Sequence, residues 1–149
     1  MARYLLVAHQ TAESPELIQA ARRLEEEDAA AEFVLLVPAT PPGSLIVGRA
    51  GDPYEIAETQ ARAAARRLQR EGVTLTGAQV GDEDPLQAIA DELRAGGREY
   101  AAIVISTLPA GLSRWLRIDM PSRARRQFPG HRIVHVESSA PRPQDEDPS

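Results

Sequence analysis

Residues 101–126 read AAIVISTLPAGLSRWLRIDMPSRARR, and the succession of chemistries within them decides the fold. Ala101 to Ser106 is a short continuous apolar run rich in Ile and Val, the pattern of a parallel strand covered on both faces. Thr107, Pro109, Gly111 and Ser113 interrupt it, and an arginine-rich helix is predicted to follow, running to about Gln127. Strand, loop and helix start in that order are where α/β proteins hold ligands. A helix entered from such a loop carries unpaired N–H groups and the positive end of its dipole, so the turn favours an anion. Arg114 and Arg117 share a face at i, i+3 and add full charges, which makes a phosphate- or carboxylate-bearing small molecule the expected ligand. The competing reading leaves both as solvated surface arginines.

Outward from this stretch the chain alternates strand and helix. Tyr4 to Ala8 is the first strand, and Pro15 suits the first position of a helix running through Leu17, Ala20, Ala21 and Leu24. Glu32 to Val37 is the second strand. The Pro/Gly-rich connection Pro38 to Gly51 carries an apolar patch, Leu45, Ile46 and Val47, suited to a loop covering a site. Asp52-Pro53 caps a long helix through Arg70, and Gly72 ends it. The third strand, Val73 to Val80, is weakened by Gly77 and is expected near an edge. Gly81 to Asp84 turns into a third helix, Pro85 to Ala95, closed by Gly96-Gly97, and His131 to Val136 is the fifth strand.

Strands separated by single helices imply right-handed crossovers, hence a doubly wound α/β fold: a five-stranded parallel sheet with helices on both faces. The first and fourth strands are the most continuously apolar and the third is interrupted, so the order 3-2-1-4-5 is expected rather than 2-1-3-4-5. Ligands bind where the strand order reverses. That point gathers His9, Gln10 and Thr11 from one side and Thr107 to Ser113 from the other.

The 149 residues suit one domain, read here as residues 1–137, followed by an acidic, Pro-rich tail at 138–149. The absence of cysteine excludes a disulfide framework, a thiol nucleophile and a thiolate metal site. Tyr4 to Ala8 is too short for a signal peptide and no stretch suits a membrane span, so a cytoplasmic protein without membrane association is expected. Part of the net charge of −5 lies in Asp145, Glu146 and Asp147 of the tail. Arg114, Arg117, Arg123, Arg125, Arg126 and Arg132 crowd one region against Asp119 alone, but without interleaved aromatics or a basic overall balance, and a nucleic-acid partner is not expected. His131 and His135 have no partner at metal-ligand spacing, so no metal site is expected.

Residues 3–137 resemble the universal stress protein family. The resemblance rests on LLVAHQT in the first strand, FVLLVPAT in the second, a second helix ending in REG, the turn GDEDP, the tripeptide Gly-Leu-Ser at 111–113 and a final strand RIVHV. It implies the adenine nucleotide alpha hydrolase-like fold, ATP or another adenine nucleotide as cofactor class, and a homodimer through the final strand. Nucleotide-binding members carry G-x-x-G, nine residues, then G-[ST]. Gly111 matches the second glycine and Ser122 the hydroxyl, whereas Leu108 and Pro121 stand at the first and third glycines, and Gln10 stands where the family has an aspartate. Leu disfavours positive φ and Pro lacks an N–H donor, so phosphates are not expected to be held in the family's usual manner.

The candidate ligand-binding residues are Gln10, Thr11, Thr107, Gly111, Ser113, Arg114, Arg117 and Ser122. Trp115 is read first as packing and second as a stacking plate. His9 is read first as a structural residue and second as an acid or base. Thr107 and Ser113 have no activating group visible in the sequence, and no catalytic residue is assigned. The favoured function is a non-enzymatic binding or regulatory protein. The alternatives are a small nucleotide-handling enzyme using His9 or Asp119, and a dimeric stress protein without a ligand site. The last strand, with Ile133, Val134 and Val136 and few blunting devices, suits an edge covered by a second copy.

Overall fold

The computed structural model of the protein describes residues 2–40, 52–95 and 100–139. Among them β1 (Arg3–Val7), β2 (Glu32–Pro38), β3 (Leu75–Gly81), β4 (Ala102–Thr107) and β5 (Arg132–Glu137) form one sheet in the order β3-β2-β1-β4-β5. Every neighbouring pair is parallel, as expected from the sequence. Burial explains the order. Nearly all of β1, β2 and β4 is shielded from water, so their continuous apolar runs take the middle, whereas β3 and β5 are only half-buried and take the edges.

The helices α1 (Pro15–Glu27) and α2 (Pro53–Arg70) cover one face of the sheet. On the other lie α3 (Pro85–Ala95), α4 (Arg114–Arg117) and α5 (Met120–Gln127). Local sequence starts and stops them. Ser14 Oγ accepts from Leu17 N at 3.0 Å, Asp52 Oδ1 from Tyr54 N at 2.9 Å, and Asp84 Oδ1 from Leu86 N at 3.0 Å. Pro15 and Pro53 open their helices, where a missing N–H costs nothing. Gly72 follows α2 at φ +92°, a left-handed conformation that ends the helix cheaply only for glycine. Gly81 has a different reason to be glycine: a Cβ there would sit 2.7 Å from Ala88 Cβ, so α3 crosses the end of β3 at backbone distance.

The arginine-rich segment departs from its predicted form. One helix to about Gln127 is expected, but the chain makes a single turn, α4, and then restarts as α5. Pro121 is the cause: it has no N–H to donate to the Arg117 carbonyl, and its ring would crowd that carbonyl in a continuous helix. Asp119 absorbs the break at φ 55°, in the left-handed region that Asp tolerates better than most residues. Arg114 and Arg117 therefore lie on a four-residue turn rather than at the head of a long dipole.

Ser138 and Ser139, assigned to the tail by the sequence reading, are held against the domain by hydrogen bonds to Ser14 and Glu16. The patch Leu45 to Val47, the Gly96-Gly97 stop and the tail from Ala140 lie outside the described residues.

Candidate functional site

Beyond the carboxyl ends of β1 and β4 the chain departs toward opposite faces, into α1 on one side and α4 on the other, and a cleft opens between them. It encloses about 410 Å³ of non-protein space, part of it open to solvent. His9, Gln10 and Thr11 line it after β1, and Thr40 after β2. Ser106, Thr107 and Leu108 contribute from the end of β4, and Ser113, Arg114 and Trp115 from the start of α4.

A chain of buried hydroxyls forms one wall. Thr11 Oγ1 lies 2.6 Å from Ser106 Oγ, which lies 3.0 Å from Ser138 Oγ, and Ser138 Oγ accepts from Ser14 Oγ at 2.9 Å. All four residues are buried. Buried hydroxyls are costly unless paired, and here they satisfy one another while joining β1, β4, the end of β5 and the start of α1. The Ser138 N–H also donates to the Thr107 carbonyl at 2.8 Å, continuing the β4–β5 ladder.

His9 stands apart from this pairing. It is only 8% exposed, and its Nε2 is buried without a hydrogen-bond partner. Burial pushes its pKa below the ordinary 6.5, so the imidazole is neutral at pH 7, with one N–H and one lone pair. An unsatisfied buried polar atom costs about 1–3 kcal/mol, and this one belongs to a residue that lines the cleft.

Thr107 does have a base beside it, contrary to the sequence expectation. Its Oγ1 lies 2.8 Å from His135 Nε2. Burial lowers the His135 pKa, the Glu137 charge opposes that shift, and the Arg125 charge adds to it. A hydroxyl paired with a neutral imidazole is the start of a nucleophile–base pair. Thr107, however, is 2% exposed, so this bond fastens β4 to β5 rather than presenting an open nucleophile.

Three backbone donors of the loop between β4 and α4 are used within the protein. Ala110 N donates to Glu137 Oε2 at 2.8 Å, while Leu112 N and Ser113 N donate to the Pro109 carbonyl at 3.0 and 3.1 Å. Gly111 turns the loop at φ +92°, and a Cβ there would meet nothing within 4 Å, so its conformation and not space requires glycine.

No protein-family model matches the chain, and no curated protein matches it significantly. Solved structures align with nearly all of it. A universal stress protein from Archaeoglobus fulgidus matches with a TM-score of 0.58 at 16% identity, covering 92% of this chain and 94% of that one. The fold is that of the universal stress proteins. The universal stress protein from Archaeoglobus fulgidus in complex with dAMP aligns with a TM-score of 0.54 at 18% identity, covering 92% of this chain and 98% of that one. A universal stress protein family protein from Arabidopsis thaliana with AMP bound aligns with a TM-score of 0.53 at 15% identity, covering 100% and 97%.

Within this universal-stress-protein fold, five of the eight residues singled out from sequence line the cleft: Gln10, Thr11, Thr107, Ser113 and Arg114. Gly111, Arg117 and Ser122 do not. Gly111 shapes an exposed loop, Arg117 is exposed at the end of α4, and Ser122 is half-buried on α5, past the break at Asp119. Asp119, the alternative catalytic carboxylate, is exposed and also outside the cleft. Ser113 serves locally, accepting from Leu116 N at 3.1 Å as the α4 cap.

Sequence reasoning left Thr40 and Ser106 out of the site. Ser106 carries a usable signal, a hydroxyl closing an otherwise apolar strand. Thr40 carries none, since its Oγ1 reaches the Glu83 carbonyl, at 2.8 Å, only through the pairing of β2 with β3. Among the described residues no group of three or more His, Asp or Glu side chains is arranged to hold a metal ion, and no helix is long and apolar enough to cross a membrane.

Proposed function

We propose that this chain acts by binding, as a regulatory protein of the universal-stress-protein type whose cleft between β1 and β4 takes a nucleotide-like small molecule. The observation that carries the reading is the cleft itself, at the point of strand reversal where doubly wound sheets bind ligands, with polar residues from β1 and β4 in its lining. Solved structures of the same fold hold dAMP and AMP. Binding is favoured over catalysis because Thr107, the lining hydroxyl with a base at hydrogen-bond distance, is closed to solvent. Phosphates are not cradled here as glycine-rich loops cradle them, with Leu108 and Pro121 at two glycine positions of the family pattern.

Trp115 provides the test. It is the only tryptophan of the chain and lines the cleft, so its fluorescence reports occupancy directly. Titration with adenosine, AMP and ATP is expected to change the emission saturably, with calorimetry giving the same midpoint. No response from any of them at millimolar concentration removes the nucleotide-like ligand.

Pairing of two copies through β5 belongs to the same proposal. That strand is an edge of the sheet, and its inner positions Ile133, Val134, His135 and Val136 remain half-buried rather than buried.

A further inference from the structure

We infer that the acidic segment Asp145 to Asp147 docks on an arginine face of its own chain, built by the end of α4, the outer side of α5 and the start of β5, and covers that face against other polyanions. Arg117, Arg123, Arg125, Arg126 and Arg132 are all exposed, and none of them has an ion pair or a side-chain hydrogen bond within the described residues. Between Arg114 and Arg132 the sequence offers them Asp119 as the one acidic residue. Elsewhere Arg3, Arg67 and Arg94 each hold a carboxylate. In a chain of net charge −5, one surface has thus gathered positive charge without its counter-charge.

Packing fixes the shape of this face. Met120, Pro121 and Ala124 are the buried side of α5, which leaves Arg123 and Arg126 as neighbours at i, i+3 on the outer side. Arg125 lies on the flank toward β5, where its charge acts on His135. Because α5 joins two parallel strands, it runs back along them from the carboxyl end of the sheet, with Arg117 just before it and Arg132 opening β5 beyond it.

The chain after β5 supplies the occupant. Ser138 N–H bonds the Thr107 carbonyl and Ser139 Oγ donates to Glu16 Oε2 at 2.7 Å, so the last described residues are fastened at the carboxyl end of the sheet. Asp145 follows Ser139 by six residues and Asp147 by eight. Such lengths reach at most about 20–29 Å, enough to turn over the end of β5 and meet α5, itself about 12 Å long. Residues 140–149 carry Asp145, Glu146 and Asp147 against Arg142 alone. Glu13 and Glu16 repel these carboxylates on the α1 side of the exit, and the arginine face attracts them on the other. The tether holds them at an effective concentration in the millimolar range, so that exposed pairs which are weak singly act together in one molecule.

The test uses the full chain, which has no cysteine of its own, with a nitroxide spin label on Gln144→Cys and NMR relaxation of the backbone amides. At about 0.01 M salt, where the Debye length is about 30 Å, strong relaxation enhancement is expected at Arg117, Arg123 and Arg126. Raising the salt to about 1 M, or adding Asp145→Asn, Glu146→Gln and Asp147→Asn, is expected to lower it by about threefold or more. A segment that is merely tethered passes the same surfaces whatever its charge, so enhancement that survives neutralisation overturns the inference. So does enhancement as strong along α1 as along α5. Spin-labelled protein mixed with unlabelled ¹⁵N protein tells one copy from another: enhancement of the ¹⁵N chain assigns the segment to a second copy and overturns docking on its own chain. Heparin serves as the polyanion probe. The neutralised chain is expected to bind it about threefold or more tighter than the wild type, whereas equal affinity leaves the face to an outside polyanion and overturns the inference.

Discussion

Replacing Ser138 by alanine removes one oxygen from the middle of the hydroxyl chain, and its cost can be worked from the geometry. The Ser138 hydroxyl accepts from Ser14 at 2.9 Å and pairs with Ser106 at 3.0 Å, with all three residues at 7% exposure or less. Each lost hydrogen bond is worth about 1 kcal/mol net, and the Ser14 proton, left buried without an acceptor, adds about 1–3 kcal/mol. Relaxation of Ser14 recovers part of this, so the expected loss is about 2–4 kcal/mol. At roughly 3 °C per kcal/mol for a domain of this size, Tm falls by roughly 6–12 °C. Urea unfolding at unchanged m is the direct assay. Ser139→Ala is the control, since its bond to Glu16 Oε2 is exposed and should be worth less than about 0.5 kcal/mol. If Ser138→Ala costs no more than that control, the four hydroxyls do not form a buried chain.

Four further outcomes are expected. Gly81→Ala should destabilise by roughly 1–3 kcal/mol in chemical denaturation, because its Cβ would press on Ala88 Cβ at 2.7 Å and Leu36 Cδ1 at 3.0 Å. Gly77→Ala, whose Cβ would meet only Val34 Cγ1 at 3.9 Å, should be neutral or stabilising by up to about 1 kcal/mol in the same assay. Stability should also fall on acidification: His9 and His135 are held below their ordinary pKa of 6.5, so below that value the unfolded chain binds more protons than the folded one. Their contribution is complete above pH 6.5 and is lost as pH falls from there through the lowered folded values, a slope that His9→Leu should reduce. Wild-type protein should sediment as a dimer and Val134→Pro as a monomer, whereas a wild type monomeric at high concentration rejects pairing through β5.

Glu137 and Ser138 show how the end of β5 is tied into the site. One side chain holds the Ala110 amide, the next completes the hydroxyl chain, and the Ser138 N–H bonds the Thr107 carbonyl. Two residues of the cleft lining, Thr11 and Ser106, therefore belong to a network ending where the chain leaves β5. The segment after β5 is the place to look for a response to occupancy, for example by hydrogen exchange at Ser138 and Ser139.

The amino-acid sequence by itself determined the architecture, because the forces that select it act over short spans. Continuous apolar runs at Tyr4 to Ala8 and Ala101 to Ser106 demanded cover on both faces and so the middle of a sheet. Pro15, by its fixed φ and missing N–H, and Asp52 and Gly72, by bonds to residues only a few positions away, marked helix ends. The same local reading placed the cleft at the strand reversal and named five of its lining residues. Only the tertiary structure decided what the cleft contains. Thr11 meets Ser106 across 95 positions and Ser14 meets Ser138 across 124, distances bridged solely by the registers of β1, β4 and β5. The pairing of Thr107 with His135 and the isolation of His9 Nε2 depend on the same registers. Hydrogen-bond partners are chosen by proximity within about 3 Å, which no periodicity in the chain encodes. The break at Asp119 lies between these cases: Pro121 announced it locally, but only the folded chain showed Arg117 and Ser122 carried away from the site.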